Sequence, residues 1–199
     1  MAFTVSGEMP EKKGIDNMKN RSVRTIAAIG IGAALFFVVG RFVTIPSPVP
    51  NTSILIQYGL LAFMATMFGP VAGALIGLAG HALIDLSIGR GIWWSGIIAS
   101  ACFGLIMGLL SRKINLANGE FGRTDSARFN LFQIISHIIA WGVIAPVLDI
   151  VMYAEPAKKV FLQGFISGIA NIVTTAIIGT LLCIAYASTR PKKSSSGEE

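Results

Sequence analysis

Gly69-Pro70-Val71-Ala72-Gly73-Ala74-Leu75-Ile76-Gly77-Leu78-Ala79-Gly80-His81-Ala82-Leu83-Ile84-Asp85 decides how this chain folds. The run is apolar and uncharged until its far end, where a histidine and a carboxylate stand at i and i+4. Gly69, Gly73, Gly77, His81 and Asp85 fall on one helical ridge, which drifts by about 40° per step because four residues turn about 400°. The glycine half admits a second helix at close range, as small-xxx-small ridges do in membranes. The His81–Asp85 half places ionisable groups where lipid does not tolerate them, which marks a candidate functional site inside a helix bundle.

Composition agrees with that environment. The chain has 199 residues, 53% hydrophobic and only 13% charged, with a mean hydropathy of +0.70. Soluble domains carry about 25% charged residues, so long uncharged runs at half that density mean a membrane protein. At about 20 residues per span, the length accommodates one domain of roughly six helices. The net charge of +6 does not point to nucleic acid, because the basic residues sit at helix ends and tails without interleaved aromatics. Cys102 and Cys183 lie inside apolar runs and read as small core residues, with no disulfide or metal spacing.

In chain order, residues 1–21 form a polar leader, with a natural start expected at Met18. Val23–Val43 is a first span whose face of Ala27, Ala28, Gly30, Gly32, Ala33 and Ala34 is small enough for tight packing. Residues 44–53 carry Pro46, Pro48 and Pro50, an alternation that excludes helix and predicts a stiff extended loop. Further spans are expected at 54–68, 70–88, 92–111, 129–153 and 160–186. The fourth repeats a small ridge at Gly96, Ser100, Gly104 and Gly108, and the fifth contains a kinking Pro146. No strand pattern competes. The expectation is an all-α membrane protein: six transmembrane helices over residues 22–187, followed by a disordered polar tail at 188–199.

Charge sets the orientation. Of sixteen Lys and Arg, Arg41, Arg90, Lys158 and Lys159 fall in the loops on one side, leaving twelve for the other. That bias predicts cytoplasmic N and C termini. At about 1.5 Å per residue, His81 and Asp85 then lie towards the outer side of a ~30 Å core. Arg41, Gln57, Tyr58, Trp141, Asp149 and Gln163 fall in the same half, beside the Trp93-Trp94 loop. Polar side chains from several helices thus converge on a pocket open to the outside.

Each group has a structural alternative. His81 and Asp85 read as a ligand-contacting pair, the carboxylate orienting the ring, or as an intrahelical polar pair that helps packing. Arg41, Asp85, Arg90 and Asp149 form a mutually neutralising network or contact substrate. Trp93, Trp94 and Trp141 make an interfacial belt or stack on a flat ligand. Gln163 and Asn171 are pocket donors or helix-helix bonds, and His137 is structural. The chain lacks G-x-x-x-x-G-K-[ST], H-E-x-x-H, G-x-S-x-G and any cysteine-histidine cluster, so no nucleotide-hydrolysing, metal or acyl-transfer motif is present.

Several stretches, taken together and in order, resemble the substrate-binding S components of energy-coupling factor (ECF) transporters. They are residues 24–34, the 45–52 proline loop, Phe68-Gly69-Pro70-Val71-Ala72-Gly73-Ala74, Gly80-His81-Ala82-Leu83-Ile84-Asp85 and Gly91-Ile92-Trp93-Trp94-Ser95. The resemblance spans residues 18–186. It implies a six-helix vitamin-capture subunit of a prokaryotic cell membrane, without cofactor, working with a transmembrane T component and two cytoplasmic ATPases that use ATP and Mg. It also implies that a small-residue face on the first helix, here Ala27, Ala28, Gly32 and Ala33, docks on the T component. The branch most similar includes the cobalamin-specific member; other vitamins and haem are alternatives. An intramembrane enzyme using His81 and Asp85, and a stand-alone secondary transporter, are the competing classes.

Overall fold

The computed structural model describes residues 10–46, 53–89 and 91–190. Helix α1 (Pro10–Phe42) leads into strands β1 (Thr44–Pro46) and β2 (Ser53–Leu55). Helices α2 (Gln57–Phe68), α3 (Pro70–Ile88) and α4 (Trp94–Leu110) follow, then two short 3-10 turns. Next come α5 (Arg123–His137), a π-helical segment (Ile138–Ile144), α6 (Ala145–Tyr153) and α7 (Ala157–Ser188). The polar residues 10–21, set apart above as a leader, continue the helical backbone of α1. The tip of the proline loop, Arg90 and the tail beyond Arg190 lie outside the described residues.

Five helical stretches are long and apolar enough to cross a bilayer: Ser22–Phe42, Pro70–Ile88, Trp94–Lys113, Arg123–Tyr153 and Ala157–Ser188. The expected second span differs. Residues 53–55 pair antiparallel with 44–46, Ile45 opposite Ile54, which removes them from the helix. Helix α2 keeps 12 residues, about 18 Å of rise, short of a ~30 Å hydrocarbon core. The protein is a helical membrane protein with, among the described residues, one two-stranded exception, which the alternation of prolines concealed.

Its polarity is inverted relative to a soluble domain. Ile26, Ile31, Val71, Leu86, Val151 and Phe165 are exposed, while Gln57, Asp85, Ser100, Gln133, His137, Asn171 and Thr175 are buried. Outward branched and aromatic side chains suit acyl chains, and buried polar groups need partners inside the bundle. Between α5 and α7 they find them: Asn130 Nδ2 donates to Thr180 at 3.0 Å, Gln133 Nε2 to the Ile172 carbonyl at 3.3 Å, and His137 Nε2 lies 3.1 Å from Thr175 Oγ1.

The two small ridges meet each other. A Cβ added at Gly73 would sit 2.5 Å from the Gly104 carbonyl oxygen, and one at Gly77 would sit 2.4 Å from that of Ser100. Gly108 likewise rests on the backbone of Pro70. Only hydrogen on these Cα atoms lets α3 and α4 lie backbone to backbone. Small residues of α1 serve the same purpose. Ala28 and Ala33 are buried, and Gly32 abuts Ile76 and Met64. Of the four positions expected to dock a partner, only Ala27 faces outward; the other three are consumed by packing on α2 and α3.

Helices α5 and α6 are two halves of one stretch. Pro146 has no N–H for the Gly142 carbonyl, and the preceding turns widen into the π segment. Helix α7 approaches that segment at Gly164, where a Cβ would meet the Trp141 carbonyl oxygen at 2.5 Å. The expected kink is thus a widened turn that carries Trp141.

Candidate functional site

The last turns of α1 and α3, the first turn of α4, the ends of α6 and the start of α7 surround a cavity of about 530 Å³. It lies at the end of the bundle remote from Arg190, which packs on Gly119 at the other end. Small-molecule sites commonly enclose about 300–1,000 Å³. Arg41, Gln57, His81, Asp85, Trp93, Trp141, Asp149 and Gln163 all line it, so eight of the twelve expected positions come together from six helical elements.

Three others are placed elsewhere, and Arg90 lies outside the described residues. Tyr58 is fully buried beneath the cavity, edge-on to Phe36, Phe103, His137 and Trp141 at 5.4 to 5.6 Å between centroids. Its ring completes the aromatic core instead of meeting solvent. Asn171 Oδ1 accepts from the Leu55 N–H at 3.3 Å, and Thr174 Oγ1 donates to the Leu55 carbonyl at 3.1 Å. Asn171 therefore ties β2 to α7. Trp94 is 48% exposed and outside the lining, its N–H donating to the Tyr153 hydroxyl at 2.9 Å.

The histidine is held differently from expectation. Nε2 of His81 lies 3.8 Å from Asp85 Oδ1, an ion-pair separation too long for a hydrogen bond. The ring is fixed by Nδ1, 2.6 Å from Ser100 Oγ. Ser100 Oγ donates to the Gly96 carbonyl at 2.9 Å and also meets the Tyr58 hydroxyl at 2.7 Å. With its one proton committed, Ser100 accepts from both Tyr58 and His81. Glycine at 96 makes room, since a Cβ there would stand 3.1 Å from His81 Cε1. Trp141 stacks on the imidazole at 6.4 Å and 25°.

The two carboxylates clamp the loop before α4. Asp85, 3% exposed, takes the Trp93 backbone N–H on Oδ2 at 2.8 Å. Asp149 Oδ1 takes Trp93 Nε1 at 2.7 Å and the Ser95 hydroxyl. Trp93 stacks on Tyr153 at 3.9 Å and 19°. Among the described residues no ion pair joins Arg41 to either acid; Lys159 pairs with Glu155 at 2.7 Å. The network expected of Arg41, Asp85 and Asp149 is replaced by hydrogen bonds to loop donors. Sequence reasoning missed Ser95, Ser100 and Tyr153. Ser100 sat in a ridge of glycines and read as a spacer.

The chain from 20 to 188 matches the family described as "ECF-type riboflavin transporter, S component". It belongs to the S-component family of ECF-type transporters. Similar chains are UPF0397 proteins of Enterococcus faecalis, 55% identical over 87% of this chain and 95% of that one, and Streptococcus pneumoniae, 49% identical over the same shares. One of Lactococcus lactis is 46% identical over 92% of this chain and all of its own. No solved structure is significantly similar. As an S component it is a bacterial, membrane-embedded, substrate-binding subunit of a transporter. Such subunits bind cargo and are generally not catalysts.

Proposed function

We propose that this S component captures a vitamin at the outer face of the cell membrane. It then delivers the vitamin with a T component and two ATPases, which supply the ATP and Mg chemistry that this chain has no motif for. The twelve-to-four distribution of Lys and Arg supports cytoplasmic termini and a cavity that faces outward. The single observation that carries the reading is the cavity itself: polar and aromatic groups from six helical elements around about 530 Å³, at the end remote from Arg190.

Cobalamin-class corrinoid is the first substrate, on the resemblance to the branch that includes the cobalamin-specific member. Riboflavin is the second, favoured by the description of the matched family and by volume. A cavity of about 530 Å³ suits a tricyclic flavin better than a whole corrinoid. The test is binding and uptake of radiolabelled cobalamin and riboflavin by the purified chain alone and with T component and ATPases. Binding by the chain alone, with uptake only when partners and ATP are present, is expected. Uptake without partners would overturn the reading in favour of a secondary transporter.

A further inference from the structure

His81 and Asp85 set two hydrogen-bond acceptors side by side at the cavity wall. Ser100 gives its proton to the Gly96 carbonyl and accepts from His81 Nδ1 at 2.6 Å. Nδ1 therefore carries the imidazole proton, and Nε2 is the accepting nitrogen of the ring. Asp85 is held by its other oxygen, since Oδ2 takes the Trp93 N–H at 2.8 Å while Oδ1 faces His81. Nε2 and Oδ1 stand 3.8 Å apart, too far to share a proton. Both residues line the cavity, with side chains 14% and 4% exposed, so the pair is within a ligand's reach. Two acceptors so placed gain nothing from each other, and a carboxylate this deeply buried gains most from a donor.

We infer that the bound ligand places two hydrogen-bond donors between His81 Nε2 and Asp85 Oδ1. One amino nitrogen about 2.9 Å from both acceptors satisfies them with its two hydrogens, and a vicinal diol does so with one hydroxyl on each. Ser100 and Trp93 hold the far sides of the ring and the carboxylate, so the spacing is set before the ligand arrives. This inference rests on the vitamin-capture reading and names the feature of the vitamin that the site recognises. Two sources share the chemistry: the ribityl hydroxyls of a flavin and the carboxamide NH2 groups of a corrinoid.

The test is calorimetric titration of the full chain in detergent with riboflavin and cobalamin, each beside an analogue without the donors. The analogues are lumiflavin, which has no ribityl chain, and cobalamin with its carboxamides hydrolysed to carboxylates. Wild type is compared with Asp85→Asn, with melting temperature as the folding control. The asparagine keeps an oxygen for the Trp93 N–H and turns an NH2 towards His81 Nε2, which replaces one acceptor and competes for the other. Wild type is expected to bind the cognate vitamin about 10- to 150-fold more tightly than its analogue, and Asp85→Asn to lose a similar factor for the vitamin. The preference for vitamin over analogue should fall about tenfold in the variant, because both changes remove the same contact. The arm that responds identifies the source. If wild type and Asp85→Asn bind the vitamin alike, or show the same preference, the donor pairing is refuted while vitamin capture stands. If Asp85→Asn melts well below wild type, wild type decides alone: equal affinity for vitamin and analogue refutes the pairing, and preference for the vitamin supports it. If neither vitamin binds wild type, the capture reading itself fails and this inference falls with it.

Discussion

Gly104→Ala tests the helix contact on which the site is built. Its Cβ would lie 2.2 Å from the Gly73 carbonyl oxygen, with Gly73 C at 2.4 Å. Carbon-to-oxygen contacts settle near 3.3 Å, so α3 and α4 must part by about 1 Å. Neither obstacle is a side chain that rotates away. Overpacking costs about 1–3 kcal/mol, and a clash of backbone on backbone belongs at the upper end. At about 2–4 °C per kcal/mol for a chain of this size, melting in detergent should fall by about 6–12 °C. Vitamin affinity should fall with it, because α3 carries His81 and Asp85 and α4 carries Ser95 and Ser100. Gly30→Ala is the control: nothing lies within 4 Å of its added Cβ, and alanine favours helix by about 1 kcal/mol. It should melt at or slightly above wild type. Equal melting of the two variants would refute the claim that α3 and α4 meet backbone to backbone.

Gly96→Ala places a methyl group 3.1 Å from His81 Cε1, so the ring shifts by a few tenths of an ångström. Vitamin affinity should fall roughly fivefold with melting within about 2 °C of wild type, checked by calorimetric titration and thermal scans. Ser100→Ala removes the acceptor shared by His81 and Tyr58. Interhelical bonds in membranes average about 0.6 kcal/mol, so stability should drop by only about 1 kcal/mol while affinity drops about tenfold as the imidazole loses its anchor. Asp149→Asn leaves an acceptor for Trp93 Nε1 but removes the charge that strengthens the bond. Hydrogen exchange at the Trp93 and Trp94 amides should quicken about tenfold, and unchanged exchange would show that the carboxylate does not hold this loop.

The helical frame was legible because two physical signals coincide in it. Glycine at every fourth position of α3 and a matching ridge on α4 can serve only close helix approach, and the structure pairs them. Exclusion of charge from lipid made His81 and Asp85 stand out, and both line the cavity. What stayed hidden depends on contacts remote in sequence. Pairing of 44–46 with 53–55 shortened α2, although prolines there forbid only helix. Tyr58 follows Gln57 directly and Asn171 lies eight residues beyond Gln163, so turns of about 100° and 80° about the helix axis send them to the core and to β2. Ser100 looked like a spacer, because hydroxyl and glycine are equally small; its role emerges only when His81 arrives from α3. Tight packing of the small face of α1 was legible, but the docking of Ala28, Gly32 and Ala33 on a partner came only from the resemblance, and smallness does not say which neighbour a helix approaches.

Intrinsic fluorescence gives the most direct test of vitamin capture in this cavity, because Trp93 and Trp141 line it and Trp94 is the chain's remaining tryptophan. Titrating the purified chain with riboflavin or cobalamin, both of which absorb tryptophan emission, should give saturable quenching at one vitamin per protein. Quenching that rises linearly with both vitamins and never saturates would contradict the account.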